Sequence, residues 1–480
     1  MEQKLNQIIE KLRKDFNVPS IMVSVYKDGE TFFCGGGIAD VENGYEATPD
    51  TIYAIASVSK AFIATAICIL ADEGKVCLDD SVKKHLPGFE MHTEYITNNL
   101  TIRDALGHRS GLPRHDLMWL NNPDMSLQEI IDGLKYLPLA FPHRARMHYQ
   151  NHMFALASLL VEKITGEPWQ KFVEERIFKP IGMDSSYTRA EDYRDKGLKA
   201  MSEPYDYVEG EFEKIPFNNI DNVGCAGCLS STVRDLDKWA RLNLGRGELD
   251  GKRILSEDMA KNLHNPQMII KEKEMMPYEL PECDFTSYGL GWFVESYRGH
   301  KLVHHGGTID GYKTLVGFLP NEGIAFSVLT NMNANQTPTA LGYYICDLAL
   351  GLSEIDWGTR FLDIVAKFKT GANDTLDAFK EKAKNAPPQA HKAEEYVGMY
   401  KHGAYGAMPV TLDKGVLRVS IMGHELELVA TGYDTFYVEF PKYSACAPVK
   451  FDYDSDGKIC KMLAKLDAMS DMIEFERVEE

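Results

Sequence analysis

The chain is 480 residues long, 44% hydrophobic and 26% charged, with a formal net charge of −19 at pH 7. This composition is typical of a soluble globular protein, and the length predicts two or three structural units. The negative charge argues against nucleic acid or an anionic membrane surface as a partner. No stretch of the sequence approaches the roughly 20 apolar residues that a membrane-spanning helix needs.

The N-terminal segment and the cysteines bear on the compartment. Residues 1–15 are charged, with apolar residues at helical spacing, which predicts a surface helix rather than a signal peptide. The nine cysteines are an odd, scattered set that fits no disulfide framework, so we predict a cytoplasmic protein. Cys225 and Cys228 match C-x-x-C, but the packing of small residues is favoured over a zinc or redox site, since no second pair accompanies them. We therefore expect no metal and no cofactor.

The first elements are strands followed by a helix. An alternating apolar pattern over residues 20–34, around a turn at 27–29, predicts a β-hairpin. The run over residues 57–70 is apolar nearly all round, which predicts a buried helix. A short helix is predicted to begin at Leu100.

Helices occupy the middle of the chain, and strands return before residue 352. Residues 152–165 predict a long amphipathic helix that Gly166 ends, and a helix restarts over 168–178. Residues 302–305 and 315–331 predict a pair of antiparallel strands. Strands at both ends with helices between them predict an α+β fold, with an antiparallel sheet flanked by helices and an additional all-helical region.

The pattern changes after residue 352. Residues 357–386 predict a charged helix, which a Pro-Pro pair ends. Beyond it, short alternating runs separated by turns predict a small antiparallel β-barrel. These runs are residues 410–412, 416–421, 426–429, 436–440 and 449–453. We predict one domain over 1–352, a helical linker over 353–390 and a barrel domain over 391–480.

A serine and a lysine stand at the start of the predicted buried helix. Ser57 and Lys60 are one helical turn apart, which puts a hydroxyl and an amine on the same face. A lysine held against a buried helix is poorly solvated, which lowers its pKa and lets it act as a base at neutral pH. Backbone N–H groups at the helix start would stabilise an oxyanion. Taken alone, the pattern is more typical of an N-capping serine with a snorkelling lysine.

A second motif, Tyr-Gln-Asn at residues 149–151, lies directly before the helix predicted from residue 152. The phenol of Tyr149 would take the proton of a nucleophile if nearby cations lower its pKa, and return it to a leaving group. The amide of Asn151 would hold Lys60 on one side and a substrate carbonyl on the other. The alternative is an ordinary, partly buried tyrosine beside a helix cap.

A third motif, His-His-Gly-Gly-Thr-Ile-Asp-Gly over residues 304–311, ends a predicted strand. Its glycines allow a substrate backbone to approach the strand edge, where an exposed N–H would be a second oxyanion donor. Because neighbouring side chains of a strand point to opposite faces, we expect one histidine, His305, to face the site. The alternative is a tight turn with a surface histidine pair.

The three motifs, in this order and at these separations, resemble those of the penicillin-recognising serine hydrolases. The resemblance is to the branch that holds class C β-lactamases, D-alanyl-D-alanine carboxypeptidases, D-aminopeptidases and β-lactamase-like esterases. It extends over about residues 10–350, where matching segments also occur at 100–113, 177–183, 226–239 and 288–292. The C-terminal unit resembles the lipocalin-like β-domain that is appended to some peptidase-like members.

The resemblance implies a β-lactamase-like fold and a covalent mechanism in which Ser57 is acylated. Lys60 and Tyr149 would share the role of general base, and Tyr149 would protonate the departing group. The backbone N–H groups of Ser57 and Thr308 would form the oxyanion hole. The implied catalytic residues are Ser57, Lys60 and Tyr149, and the implied substrate-binding residues are Asn151, His305, Gly307 and Thr308.

His305 stands where β-lactamases of this branch carry the lysine of a K-T-G motif. A histidine is at most partly charged at pH 7. This weakens the case that a permanent cation binds a substrate carboxylate here, and with it the case for a true β-lactamase. The leading hypothesis is a peptidase or amidase that acts on a small molecule or short peptide, without nucleic-acid or membrane partners. A homo-oligomer is compatible with the sequence. The alternatives are a carboxylic esterase with the same residues, a β-lactamase and a non-catalytic ligand sensor.

Two loops are expected to select the substrate by overhanging a cleft beside the sheet. Residues 202–222 are rich in aromatic and acidic side chains, and a carboxylate there would receive a substrate amine. The alternative for this loop is a solvated surface hairpin. Residues 268–285 include Met275, Met276 and Tyr278.

Overall fold

An antiparallel β-sheet forms the centre of the first 350 residues. The computed structural model describes residues 1–194, 200–271, 280–440 and 445–478, and within them this sheet has nine strands. They are β1 (Ser20–Lys27), β2 (Glu30–Asp40), β3 (Tyr45–Glu46), β4 (Met268–Ile270), β5 (Cys283–Tyr288), β6 (Phe293–Tyr297), β7 (His300–Ile309), β8 (Tyr312–Leu319) and β9 (Ile324–Thr330). Their spatial order is β4-β5-β6-β7-β8-β9-β1-β2-β3. The strands from the two ends of this region therefore meet where β9 pairs with β1.

Six longer helices accompany the sheets. They are α1 (Glu2–Asp15), α2 (Ser59–Asp72), α3 (His152–Thr165), α4 (Val233–Leu244), α5 (Thr337–Leu350) and α6 (Trp357–Lys384). The shorter α-helices are Val82–His85, Glu94–Asn99, Ile102–Leu106, Leu117–Leu120, Leu127–Asp132, Trp169–Val173, Lys179–Ile181, Glu191–Arg194, Glu257–Leu263 and Ala393–Tyr396. No helix in the described ranges is long and apolar enough to cross a membrane.

Single turns and two-stranded ribbons complete the chain. The 3₁₀ turns are Ala56–Val58, Gly133–Tyr136 and Asp221–Ala226, and Glu174–Phe178 is a π-helical turn. The ribbons pair Tyr53–Ala54 with Ser230–Ser231, Tyr205–Val208 with Glu211–Lys214, and Glu248–Leu249 with Lys252–Arg253.

The sheet separates two hydrophobic cores. One core contains α2, α3 and α4, and α2 is buried from Ser59 to Leu70. The other contains α1, α5 and the first turns of α6, which bury Trp357 and Phe361. The predicted hairpin, the buried helix and the α+β architecture are confirmed. The start of the buried helix differs from the prediction, because Ser57 lies in a 3₁₀ turn before α2.

The predicted strand over residues 315–331 is in fact two strands. The chain reverses at residues 320–323 between β8 and β9, so three strands occupy this region instead of a pair. Gly323 has φ +71° in the reversal, a conformation that glycine adopts without steric cost. Residues 320–323, Pro-Asn-Glu-Gly, are a polar turn signal, and the prediction joined the buried apolar strands on either side of it into one run.

A second antiparallel sheet follows α6 and forms a nearly closed barrel. Its strands are β10 (Gly398–His402), β11 (Gly406–Asp413), β12 (Val416–Ile421), β13 (His424–Glu427), β14 (Val429–Gly432), β15 (Thr435–Phe440), β16 (Ala445–Tyr453), β17 (Ile459–Ala464) and β18 (Ile473–Val478). Their spatial order is β13-β12-β11-β10-β18-β17-β16-β15-β14. The two edge strands, β13 and β14, follow each other in the chain, so the predicted run over 426–429 breaks at Leu428. The predicted barrel is confirmed, although the pattern missed β10, β17 and β18.

Candidate active site

Ser57 lies in the 3₁₀ turn directly before α2 and is partly exposed, whereas the helix behind it is buried. The preceding residue, Ala56, has φ +47°, a left-handed value that a residue with a side chain keeps only when its surroundings hold it. The hydroxyl of Ser59 donates to the Ala56 carbonyl at 2.6 Å and fixes this turn. The turn thus carries the Ser57 hydroxyl out of the buried helix toward open space.

Lys60 is fully buried and surrounded by oxygen atoms. Its Nζ lies 2.7 Å from Asn151 Oδ1, 2.6 Å from the Ala226 carbonyl oxygen and 3.1 Å from Ser57 Oγ. Burial holds the pKa of Lys60 well below its usual range, and the charge of Arg114 lowers it further. The sequence expectation of a desolvated lysine beside Ser57 is confirmed.

Tyr149 contacts both the serine and two basic side chains. Its hydroxyl is hydrogen-bonded to Ser57. The ring centroid lies 4.8 Å from Lys60 Nζ and 5.4 Å from the Arg114 guanidinium carbon. Burial raises the pKa of the phenol, and it outweighs the opposing effects of the Ser57 hydrogen bond and the Arg114 charge. The condition set for Tyr149 to take the proton of the nucleophile, a pKa lowered by cations, is therefore not met, because burial dominates and the phenol keeps its proton.

A relay of polar side chains holds Asn151 in one orientation. Its Oδ1 accepts from Lys60, and its Nδ2 donates to Asp116 Oδ1 at 2.9 Å. Asp116 is in turn paired with Arg114, with 2.7 Å from Nε to Oδ2. Burial raises the pKa of Asp116, but Arg114 outweighs it, and the net pKa lies below the usual range. One amide N–H of Asn151 is thus hydrogen-bonded to Asp116. The predicted hydrogen bond to a substrate carbonyl would therefore be donated by the other N–H.

The edge of β7 lies against the turn that carries Ser57. The pairing of β6 with β7 ends at His304, so residues 305–309 extend past β6. A Cβ on Gly307 would lie 2.1 Å from the carbonyl oxygen of Ile55 and 2.5 Å from Thr314 Oγ1. Only glycine fits this close approach, which brings the exposed Thr308 to the cavities that Ser57 lines. Thr308 and Ser57 therefore border the same two cavities.

His305 is buried beside these groups and both of its nitrogens have partners. Nδ1 lies 2.7 Å from the Gly306 carbonyl oxygen, and Nε2 lies 2.9 Å from the Tyr288 hydroxyl. Since a carbonyl only accepts, Nδ1 carries the hydrogen and Nε2 accepts from Tyr288. Burial lowers the pKa of His305 to about 3, so the ring is neutral at pH 7. His304 stacks on Phe293 and also lines a cavity, so the expectation that one histidine alone faces the site is too simple.

Two cavities meet at the serine. The first, of about 360 Å³, lies between β7, β8 and α5, and the second, of about 430 Å³, lies between the helical region and the barrel. Ser57, Arg114 and Thr308 line both of them. The barrel contributes Met422 and residues 466–469 to the wall of the second cavity. An elongated substrate with its reacting carbonyl at Ser57 would therefore have room on either side.

Comparison with known families agrees with this geometry. The Beta-lactamase family model matches residues 5–349. The chain belongs to the β-lactamase family of serine hydrolases. A second model, a domain of unknown function called DUF3471, matches residues 382–477.

Two named relatives of this β-lactamase-family chain cover most of its length. The unguisins hydrolase ungD' of Aspergillus campestris is 30% identical over 86% of this chain and 78% of its own length. Protein flp of Staphylococcus aureus strain MW2 is 26% identical over 70% of this chain and 64% of its own length.

Two solved structures share the fold. The octameric penicillin-binding protein homologue from Pyrococcus abyssi has a TM-score of 0.65 and 22% identity over 99% of both chains. The D-amino acid amidase from Ochrobactrum anthropi SV3 has a TM-score of 0.59 and 23% identity over 69% of this chain and 91% of that one. The predicted β-lactamase-like fold is thereby confirmed.

The acidic side chains at the tip of the loop over residues 202–222 do not line the cavities of this β-lactamase-family site. Its carboxylates Glu209, Glu211 and Glu213 are exposed on a hairpin, as the alternative for this loop proposed. Asn218 and Ile220 line the second cavity. Of the other loop, Met268 begins the edge strand β4, whereas Met275, Met276 and Tyr278 lie outside the described residues.

The C-x-x-C pair is structural. Burial raises the pKa of both Cys225 and Cys228, and the Cys225 thiol donates to the Ser59 carbonyl at 3.2 Å. Ala226, between them, presents its carbonyl to Lys60. Within the described residues, no cluster of side chains is suited to holding a metal ion.

Several site residues escaped the sequence analysis. They are Arg114, Asp116, Ala226 and Tyr288. Ala226 and Tyr288 lie inside segments that carried the family resemblance, but their residue types suggested only packing. Arg114 and Asp116 directly follow a matching segment that ends at Pro113. The Arg-His-Asp triplet directly after this matching segment is the sequence signal that could have identified Arg114 and Asp116 as site residues.

Proposed function

We propose that this protein is a serine hydrolase that is acylated on Ser57 and cleaves amide bonds in small peptides or amino-acid amides. The observation that carries the proposal is the environment of Lys60. A neutral amine has two N–H donors and one lone pair, and two acceptors, Asn151 Oδ1 and the Ala226 carbonyl, take both donors. The lone pair is then left for Ser57 Oγ, 3.1 Å away.

In this mechanism Lys60 is the base and Tyr149 the acid. The proton of the Ser57 hydroxyl passes to Lys60 Nζ as Oγ bonds to the substrate carbonyl carbon. The N–H groups of Ser57 and Thr308 stabilise the oxyanion. When the C–N bond breaks, the phenol of Tyr149 protonates the leaving nitrogen, and the proton held by Lys60 restores the phenol. Water then attacks the acyl-enzyme in the same way, with the Ser57 oxygen as the leaving group.

The raised pKa of Tyr149 supports this division of roles. A phenol that keeps its proton suits the protonation of an amine leaving group, and a lysine with a lowered pKa suits the base. The substrate class is supported by the name of the fungal relative, a hydrolase of unguisins, and by the fold shared with a D-amino acid amidase. An esterase would use the same residues, so the leaving group must be tested directly.

We also propose that residues 1–352 form the catalytic domain and 391–480 a lipocalin-like barrel domain that closes one side of the site. The barrel contacts the segment that carries Arg114 and Asp116. Asp467 accepts from the His115 N–H at 3.0 Å, and the Tyr405 hydroxyl lies 2.8 Å from His115 Nδ1. Residues 353–390 join the two domains largely through α6.

The test compares wild type with Ser57→Ala, using Ser296→Ala on β6 as a matched control. A fluorophosphonate probe should label wild type and the control but not Ser57→Ala. D- and L-aminoacyl p-nitroanilides should be cleaved by the same two proteins. Rapid hydrolysis of p-nitrophenyl esters with no anilide cleavage would establish the esterase instead. Labelling that persists in Ser57→Ala would refute the acyl-enzyme assignment.

A further inference from the structure

The first cavity extends around residues 305–309 of β7, the part of this strand that continues past β6. It thereby connects Ser57 with the face of the sheet that α5 covers. Thr308 and Gly306 of β7 pair with Lys313 and Leu315 of β8, and all four line the cavity together with Ser57. Its other walls are mainly apolar and come from the sheet, α5 and α6. They include Phe293, Leu302, Phe326, Tyr343 and Phe368.

One cation stands in this apolar wall. Lys313 is partly buried, and its cross-strand pairing puts its side chain beside that of Thr308, on the same face of the sheet. No carboxylate in the described ranges forms an ion pair with its ammonium, and burial alone lowers its pKa, to about 8. The group therefore remains mostly cationic at pH 7. A partly desolvated cation without a counter-ion is costly unless a ligand anion pairs with it.

We propose that Lys313 binds a carboxylate that the substrate carries several bonds away from the carbonyl attacked by Ser57. Gln336, which directly precedes α5, and Thr339 of α5 line the same cavity. The Thr339 hydroxyl donates to Gln336 Oε1 at 3.3 Å, and the amide N–H groups of Gln336 are able to donate to the anion. The apolar walls would hold the carbon chain between the carboxylate and the reacting carbonyl. This inference rests on the proposed function and names its substrate class: amides or esters of acids that bear a second, free carboxylate.

The neighbouring histidine does not compete for this role. Both nitrogens of His305 have protein partners, and the ring is neutral at pH 7. Arg114, which also lines the cavity, is paired with Asp116. Lys313 is thus the cation of this cavity that no carboxylate of the described residues pairs with. It lies on β8, whereas His305 lies on β7.

The test uses mono-p-nitrophenyl esters of glutarate, adipate and suberate, each matched with a p-nitrophenyl ester of equal chain length that ends in a methyl group. Wild type should prefer the carboxylate member of at least one pair in kcat/KM. Lys313→Met should lose this preference, by about 10- to 100-fold for a charge-assisted hydrogen bond. Lys313→Arg should keep most of it.

Lys301→Met is the matched control, because Lys301 is also a partly buried lysine of this sheet and does not line either cavity. It should behave as wild type. The proposal is overturned if wild type shows no preference in any pair, or if Lys313→Met retains it. Suberate and adipate should also slow fluorophosphonate labelling of wild type more than of Lys313→Met.

The outcomes separate the two proposals. Ser57-dependent labelling and ester hydrolysis without a Lys313-dependent preference would leave the hydrolase standing and refute the carboxylate site. Absence of both labelling and hydrolysis in folded wild type would refute the hydrolase, and the substrate class with it.

Discussion

The surroundings of Ser57 and the wall of the first cavity each contain a buried lysine, and the two lysines differ in how many partners the protein gives them. Lys60 is given two acceptors by the protein and a third oxygen on Ser57, so its hydrogen bonds are complete before any substrate binds. Lys313 stands among apolar side chains, and no carboxylate of the described residues pairs with it. The groups that perform the chemistry are preorganised by the protein, whereas the group that recognises the substrate is left for the substrate to pair.

Strand β7 separates these two regions. Alternate residues point to opposite faces of a strand, so Gly307 faces the Ser57 turn, whereas the side chain of Thr308 lies on the face that carries Lys313. The cavity reaches Ser57 where β7 extends past β6. Substitutions on the two faces of β7 should therefore differ in effect, and one of the four predictions below tests this.

The largest effect is expected for Lys60→Met. Methionine matches the length of lysine but cannot accept the Ser57 proton, so kcat should fall by about 10²- to 10⁴-fold, the range of general-base catalysis. Fluorophosphonate labelling of Ser57 should slow in parallel. Methionine leaves Asn151 Oδ1 and the Ala226 carbonyl without a donor, which costs about 1–3 kcal/mol for each buried acceptor, so circular dichroism is used to check that the variant is folded. A folded Lys60→Met variant that hydrolyses anilides within tenfold of wild type would remove Lys60 from the mechanism.

The two adjacent glycines of β7 give the next effect. In Gly307→Ala the new methyl group would meet the Ile55 carbonyl oxygen at 2.1 Å and push the strand edge from the Ser57 turn. We expect kcat to fall by about 10²-fold and stability by about 1–3 kcal/mol. In Gly306→Ala the nearest atom would be 3.5 Å away, an ordinary contact. Urea unfolding and steady-state kinetics check both, and equal effects in the two variants would contradict the division of roles across β7.

Asn151→Asp tests the protonation state of Lys60. The enzyme needs the neutral amine, so kcat/KM should decline as pH falls through the Lys60 pKa, which burial holds below its usual range. The new carboxylate lies 2.7 Å from Nζ and replaces the N–H group that Asn151 donates to Asp116. The two neighbouring carboxylates favour the ammonium of Lys60, which raises its pKa and moves the acid limb of the profile to higher pH, by about one unit or more. A profile of kcat/KM against pH that stays in place, or moves down, would contradict Lys60 as the base.

The sequence predicted those parts of the site that rest on local pattern. Ser57 and Lys60 were found because a polar pair before an all-apolar helix is visible in the sequence, and Gly307 because glycine at a strand end marks a close approach. Arg114 and Asp116 were missed because their role depends on a distant amide, Asn151, that only the fold brings to them.

The sequence also did not show which of two opposing effects on a pKa, burial or neighbouring charge, would be the larger. Cations near Tyr149 were foreseen, but not that burial would outweigh them. Lys313 drew no attention, since a lysine in a strand usually faces solvent, whereas this one lines a cavity together with residues of α5 and α6.

The smallest effect is expected for Phe368→Ala, on the far wall of the first cavity. Phe368 is 39% exposed, so part of its ring surface is available to an apolar substrate chain. Its loss should raise KM for the suberate ester by about three- to tenfold while leaving kcat unchanged, because the contact is far from the reacting atoms. Phe379→Ala is the control: it lies on the same helix, but its ring stacks on Tyr437 of the barrel with centroids 5.3 Å apart. A larger KM for Phe379→Ala than for Phe368→Ala, or a loss in kcat with KM unchanged, would show that α6 does not form the end of the binding cavity.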